Sequence, residues 1–206
     1  MKKKYLKITA CIIISVLSAL TFTYSVFLQD MQDSFDKELY SNVIRLHILA
    51  QSDSAPDQSA KLKVRDGVSG YIYSLVEDTK NSNEAERIIA ENLDGIRETV
   101  KKTVKELGYS YSTDVTFNKE YYPVRYYEGF SFPSGYYRSL KITLGSGKGK
   151  NWWCVLYPTV CGSMSTDTKE KLIDSGISEK TADMLCSEEK KYEYGFYILE
   201  LLNFKK

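Results

Sequence analysis

Apolar and polar residues alternate from Val43 to Ala50. Ile44, Leu46, Ile48 and Ala50 share one face, and Val43, Arg45, His47 and Leu49 share the other. Period two with β-branched residues predicts a strand. A polar turn, Gln51 to Ser54, follows. Ser54 stands three residues before Asp57 with Pro56 between them, the spacing of a helix N-cap with proline in the first turn. The apolar period then lengthens to about 3.6, placing Ala60, Val64, Val68, Tyr71, Ile72 and Leu75 on one helix face. Arg45, His47, Asp53 and Asp66 are placed to meet near the end of the strand. Lys80 to Asn83 breaks the helix, and Asn83 with Glu86 has the spacing of a second cap. Ile89, Leu93, Ile96, Val100, Val104 and Leu107 then form a second helix face, with Gly108 as its stop.

Alternation returns from Tyr109 to Asn118 and predicts another strand. Lys119 to Tyr137 is crowded with tyrosine and phenylalanine, and Pro123 and Pro133 exclude a regular central strand through them. The stretch reads as an aromatic loop or broken edge strand that covers the core or presents anchors to a partner. Leu140, Ile142 and Leu144 predict the next strand and Trp152 to Tyr157 the one after. The glycine-rich GSGKGK between them, Gly145 to Lys150, predicts that these two strands form a hairpin. Thr166 or Asp167 is placed to cap a short helix through Leu172 and Ile173, and Ser178 to Cys186 reads as another. Tyr192, Tyr194, Phe196 and Ile198 alternate like a strand, while Tyr194, Ile198, Leu201 and Leu202 equally fit a helix. The order β, α, α, β, β, β with a mixed tail defines an α+β fold: a two-layer sandwich, helices on one face of a mainly antiparallel sheet.

Ahead of this domain the pattern changes. Lys2, Lys3, Lys4 and Lys7 flank an apolar run from Leu6 to Leu28, long enough to cross a bilayer, which takes about 20 residues. The lysines belong on the cytoplasmic side, so the chain from Gln29 onward is exported. An uncleaved anchor and a cleaved signal peptide both fit; no clean A-x-A cleavage site is present, and Thr23 and Ser25 give a poor one. Residues 1–28 are therefore anchor or signal, 29–41 an acidic linker or short helix, and 42–206 the exported domain. The 28 basic and 27 acidic residues nearly cancel, which marks no nucleic-acid binder. Tyrosine, at 17 residues, suits half-wet surfaces and interfaces.

Few residues invite chemistry. GSGKGK resembles a phosphate loop only in composition, because Lys150 leads into a Trp-rich strand rather than a helix. His47 is the single histidine. With Cys154 it would make an exported cell-wall or peptide hydrolase, yet no oxyanion-hole motif accompanies the pair. Neither H-E-x-x-H nor paired C-x-x-C occurs, so no metal or other cofactor is expected. Trp152 and Trp153 are adjacent on a strand and point to opposite faces; both can be core, or one can anchor a partner. Cys11 lies in the apolar segment. Cys154 and Cys161 are either buried thiols or, outside the cytoplasm, a bridge across a turn containing Pro158.

Two stretches carry a family resemblance. IRLHILAQSDS, followed by DQ and KLKVRD, and, about a hundred residues on, FPSGYYRSLKITLGSGKGKNWWCVLYPTVC from Phe132 to Cys161, resemble the signatures of the stage II sporulation protein R family of endospore-forming bacteria. The resemblance covers roughly residues 40 to 162. It implies a protein without catalysis of its own, made in the forespore and exported into the space between the two sporulation membranes. There it would activate a membrane-embedded aspartic protease of the mother-cell membrane, which removes the pro-segment of the early mother-cell sigma factor. It also implies a Cys154–Cys161 disulfide, leaving Cys186 unpaired. Arg45, Asp53, Ser54 and Asp66 become candidate contact or fold-defining residues, with Trp152 and Trp153 as possible anchors.

Overall fold

A computed structural model of the chain describes residues 2–160 and 168–187, and the chain divides into two units, Met1–Glu38 and Leu39–Lys206. The first unit is helical. Helix α1, Lys2–Asn42, runs through the apolar segment and the acidic stretch after it. Its stretch Lys7–Asn42 contains a window long and apolar enough to cross a membrane, and that window has no buried residues. Large apolar side chains from Ile8 to Leu28 are exposed to solvent, which is the condition of a helix whose natural surroundings are apolar.

The second unit is the α+β domain. Strand β1, Ile44–Leu49, leads into helix α2, Ala55–Val76. Ser54 caps α2, its side chain accepting from the Asp57 amide, with proline in the first turn. The buried face of α2 is Ala60, Val64, Val68, Ile72 and Val76, and the expected Tyr71 and Leu75 are partly buried against the same core. The second predicted helix is two: α3, Ser82–Glu91, and α4, Leu93–Glu106. They divide at Asn92, whose side-chain amide donates to the Ile88 carbonyl. The cap of α3 is Asn81, which accepts from the Glu84 amide, while Glu84 reaches back to the Lys80 amide. That reciprocal pair displaces the expected Asn83 cap by two residues. Gly108, at φ +81°, ends α4 as predicted.

Strands β2 (Thr113–Tyr122), β5 (Gly135–Leu144) and β6 (Asn151–Tyr157) complete the main sheet. The aromatic stretch folds as a separate hairpin, β3 (Arg125–Tyr127) and β4 (Phe130–Phe132), turning at Gly129. Pro123 and Pro133 fall outside these strands, as the missing amide proton requires. Sheet order is β2-β5-β1-β6. The expected β5–β6 hairpin does not form: β1 lies between them, parallel to β5 and antiparallel to β6. A strand buried on both faces belongs in the middle of a sheet, and Ile44 to Ile48 are all buried. The GSGKGK loop therefore passes over the end of β1. There Gly149 donates to the Ala50 carbonyl at 2.9 Å, and a Cβ at Gly149 would stand 2.2 Å from the Ser52 carbonyl oxygen.

Helices α2, α3 and α4 cover one face of the sheet. The core there joins Ile44, Leu46, Ile48, Leu140, Ile142 and Leu144 to Val64, Val68, Ile72, Ile89, Ile96 and Val100. Short helices α5, Thr168–Asp174, and α6, Glu179–Leu185, follow; α6 falls where Ser178 to Cys186 reads as a helix, and Ser178 caps it. The expected caps at Thr166 or Asp167 and the alternation around Tyr192 to Leu202 lie outside the described residues.

Candidate partner-binding face

Alternation sends every second residue of these strands to the sheet face opposite the helices, and that face is polar and aromatic. Arg45 is fully buried, 0% exposed. Its Nε donates to the Cys154 carbonyl at 2.9 Å and its Nη2 to the Tyr127 hydroxyl at 2.6 Å. Its guanidinium carbon lies 4.5 Å from the centre of the Tyr122 ring and 5.0 Å from those of Phe132 and Tyr137. Two of these rings come from strands β2 and β5, and Phe132 and Tyr127 come from the β3–β4 hairpin, which roofs the guanidinium. Cation–π attraction replaces water here; no ion pair forms at Arg45 among the described residues.

One step along β1 on the same face, His47 is 4% exposed and stacks on Trp153 with ring centres 3.7 Å apart. Its Nδ1 meets both carboxylate oxygens of Glu120 at 3.1 Å. An ionised carboxylate only accepts, so Nδ1 carries the proton and Nε2 is the bare nitrogen. Glu120 also takes the Lys141 ammonium at 2.8 Å and the Ser139 hydroxyl at 3.1 Å, and Ser139 continues to Tyr122 at 2.7 Å. Burial pushes the His47 pKa below its ordinary value, against the opposing pull of Asn151 and Glu120. Burial alone would raise Glu120, but the Lys141 and His47 contacts outweigh it and hold the carboxyl below its usual range. The imidazole is thus held neutral beside an ionised carboxylate.

The residues singled out in the sequence separate in space. Asp53 accepts from the Lys150 amide at 2.7 Å, clasping the GSGKGK loop to the β1–α2 turn. Lys61, buried beside it, donates to the Lys150 carbonyl at 2.9 Å, and burial lowers the Lys61 pKa against the attraction of Asp53. Gln51 binds the same loop through Ser146. The signature turn is thus a structural corner. Lys148 and Lys150 point to solvent, and the loop runs into a strand, so no phosphate cradle forms. Asp66 is 58% exposed and pairs with its neighbour Arg65 at 2.7 Å, away from Arg45 and Asp53; the expected meeting of Arg45, His47, Asp53 and Asp66 does not occur. Trp152 packs on the helix side with Arg65 4.4 Å above its ring. Trp153, on the opposite face, carries His47 on the ring and Arg125 at 4.9 Å. Cys154 belongs to the helix-side core and is disulfide-bonded, so it is no partner for His47 across the sheet. Cys161 lies outside the described residues, and Cys11 and Cys186 are free thiols.

Sequence reasoning missed Glu120, Ser139 and Lys141, because only the β2–β5 and β1–β5 registers bring them to His47. It also missed Arg138. This arginine donates to Glu86 at 2.7 Å, to Asn83 at 3.2 Å and to the Ser41 carbonyl in the last turn of α1. A guanidinium at a helix C-terminus adds a donor to a last-turn carbonyl, which here also accepts from the Ser82 hydroxyl at 2.7 Å.

Fold and site define a class: an α+β domain with a polar–aromatic sheet face, following an N-terminal helix apolar enough for secretion or membrane anchoring. Within that class, the chain belongs to the stage II sporulation protein R family, whose model matches residues 40–167. It is 36% identical over 154 residues to "Stage II sporulation protein R" of Bacillus subtilis (strain 168), covering 72% of this chain and 69% of that relative. No solved structure matches it. The protein is therefore a sporulation protein.

Proposed function

We propose that the chain is a signalling protein, exported from the forespore, that activates a membrane-embedded aspartic protease in the mother-cell membrane. That protease would then process the precursor of the early mother-cell sigma factor. The observation that carries this reading is the extent of the family match. Residues 40–167 take in the six strands found among the described residues, α2, α3 and α4, and both signature stretches. The exported domain binds the active state of its receptor more tightly than the inactive one, which is the condition for any ligand to shift such an equilibrium. The lysine-flanked apolar helix suits delivery of the domain across the membrane, either anchored or released. No chemistry is assigned to the chain itself.

The test is reconstitution in non-sporulating cells. The full chain is produced with the candidate receptor protease and the sigma-factor precursor, and precursor cleavage is followed by immunoblot. Cleavage is expected only when the chain is exported and the receptor's catalytic aspartates are intact. No cleavage, with all three proteins present and correctly located, overturns the reading.

A further inference from the structure

Three polar atoms at the edge of the β3–β4 roof are buried without a hydrogen-bond partner: Nη1 of Arg45, Nε of Arg125 and Nε2 of His47. They surround one set of rings. Arg45 lies on Tyr122, Tyr122 meets Trp153 edge-on at 4.7 Å, and Arg125 and His47 both lie on Trp153. Two of the three atoms are guanidinium donors. The carboxylate in this cluster, Glu120, is already engaged by His47 and Lys141. Neither Arg45 nor Arg125 forms an ion pair among the described residues. Buried donors without acceptors are rare, and a buried cation without an anion is costly.

We propose that this cluster is a docking site for an acidic side chain of a partner protein, which enters as the β3–β4 hairpin lifts and gives Arg45 and Arg125 the carboxylate they lack. Charge complementarity selects the occupant: two guanidinium groups present directed donors that match a carboxylate's paired oxygens. The roof is a small unit whose inner strand, Phe130–Phe132, is buried. Its strands are three residues each and belong to a two-stranded sheet of their own. Its polar tie to Arg45 is the Tyr127 hydroxyl, which accepts from Nη2 and donates to the Trp153 carbonyl at 3.3 Å. An incoming carboxylate replaces that hydroxyl as the acceptor for Arg45 and adds a bond to the idle Nη1. Trp153 and Arg125, both partly exposed, form the rim. The inference rests on the proposed function for its setting, in which the acidic residue belongs to the receptor.

The test reads binding directly, so it can fail while cleavage succeeds, and the reverse. His47 is the single histidine of the chain, so its ring gives one resolved NMR signal beside Trp153. Full-length protein in detergent micelles is titrated with two capped tripeptides, Gly-Glu-Gly and Gly-Gln-Gly, at constant ionic strength. The Glu peptide is expected to move the His47 signal saturably and the Gln peptide to leave it in place. Arg125→Gln, at the partly exposed rim, is expected to weaken the Glu response at least fivefold while the far-ultraviolet spectrum is unchanged. Equal responses to the two peptides, no response to either, or a response unaffected by Arg125→Gln overturns the proposal.

Discussion

The two faces of one sheet are built on opposite rules by alternate residues of the same strands. On the helix side, Leu46, Ile48, Leu140 and Ile142 are held by burial against α2, α3 and α4. On the other side, Arg45, His47, Ser139 and Lys141 are held by hydrogen bonds and ring contacts that each need a particular atom at a particular distance. Apolar contact is non-directional, so the first face tolerates a change of shape at constant volume. The second does not tolerate a change of donor geometry, because Arg45, His47 and Ser139 are buried and a misplaced group there loses water as well as its partner.

The largest test of this contrast compares conservative and severe changes at neighbouring positions. Leu46→Ala and Arg45→Ala are each expected to lower unfolding free energy by about 3 kcal/mol or more in chemical denaturation, through the cavities they leave. Leu46→Met is expected to cost under about 1.5 kcal/mol. Arg45→Lys is expected to cost more than Leu46→Met, because an ammonium lacks the fork that spans the Cys154 carbonyl and Tyr127 hydroxyl. Equal losses for the two conservative changes would erase the distinction between the faces.

Next in size is the loop clasp at the sheet's end. Asp53→Ala removes a charge-assisted bond to the Lys150 amide and is expected to cost about 2 kcal/mol. Ser54→Ala, removing the α2 cap, is expected to cost about 1 kcal/mol. Hydrogen exchange separates them: Asp53→Ala exposes the amides of residues 145–150, whereas Ser54→Ala exposes those of the first turn of α2.

A smaller effect comes with pH. The unfolded imidazole titrates near 6.5, and the folded His47 resists protonation because it is buried, Lys141 adding to that resistance while Asn151 and Glu120 oppose it. Between the folded pKa and 6.5 the unfolded state binds more protons, so stability falls as pH drops through 6.5 toward the folded pKa. His47→Gln is expected to flatten the dependence of melting temperature on pH between 7.5 and 5.5. Glu120 does not blur the reading, since its carboxyl titrates below its ordinary 4.5. The helix-side face carries no such titration, and an unchanged slope in His47→Gln would remove His47 as the cause. The smallest expected effect is Asp66→Asn, within about 0.5 kcal/mol in thermal unfolding, because its carboxylate is exposed on α2.

What was legible in the sequence was local. The β1 alternation, the Ser54 cap and the Gly108 stop each depend on residues within a few positions of one another. The β5–β6 pairing was misread because GSGKGK looks like a hairpin turn, while the strand that separates the two lies far earlier in the chain. Arg45 was marked by the family signature, but its aromatic roof comes from Tyr122 to Tyr137, a stretch whose prolines disguised a small hairpin. Glu120 and Lys141 carried no signal: Glu120 lay in the stretch read as a loop or broken edge strand and Lys141 read as the wet face of a strand, until the register sets both beside a buried histidine.

The central place of β1 also sets a timetable. Arg45 reaches across to the Cys154 carbonyl, 109 residues later, and β5, which must pair with β1 on its other side, is not complete until Leu144. A chain that threads through a membrane from its N-terminus delivers β1 first and its two neighbours last. The sheet cannot close while the later strands are still on the near side, and loop closure over such a span is slow. A domain exported in that order would stay open during passage, and the arrival of β6 would bring both faces of the sheet into being.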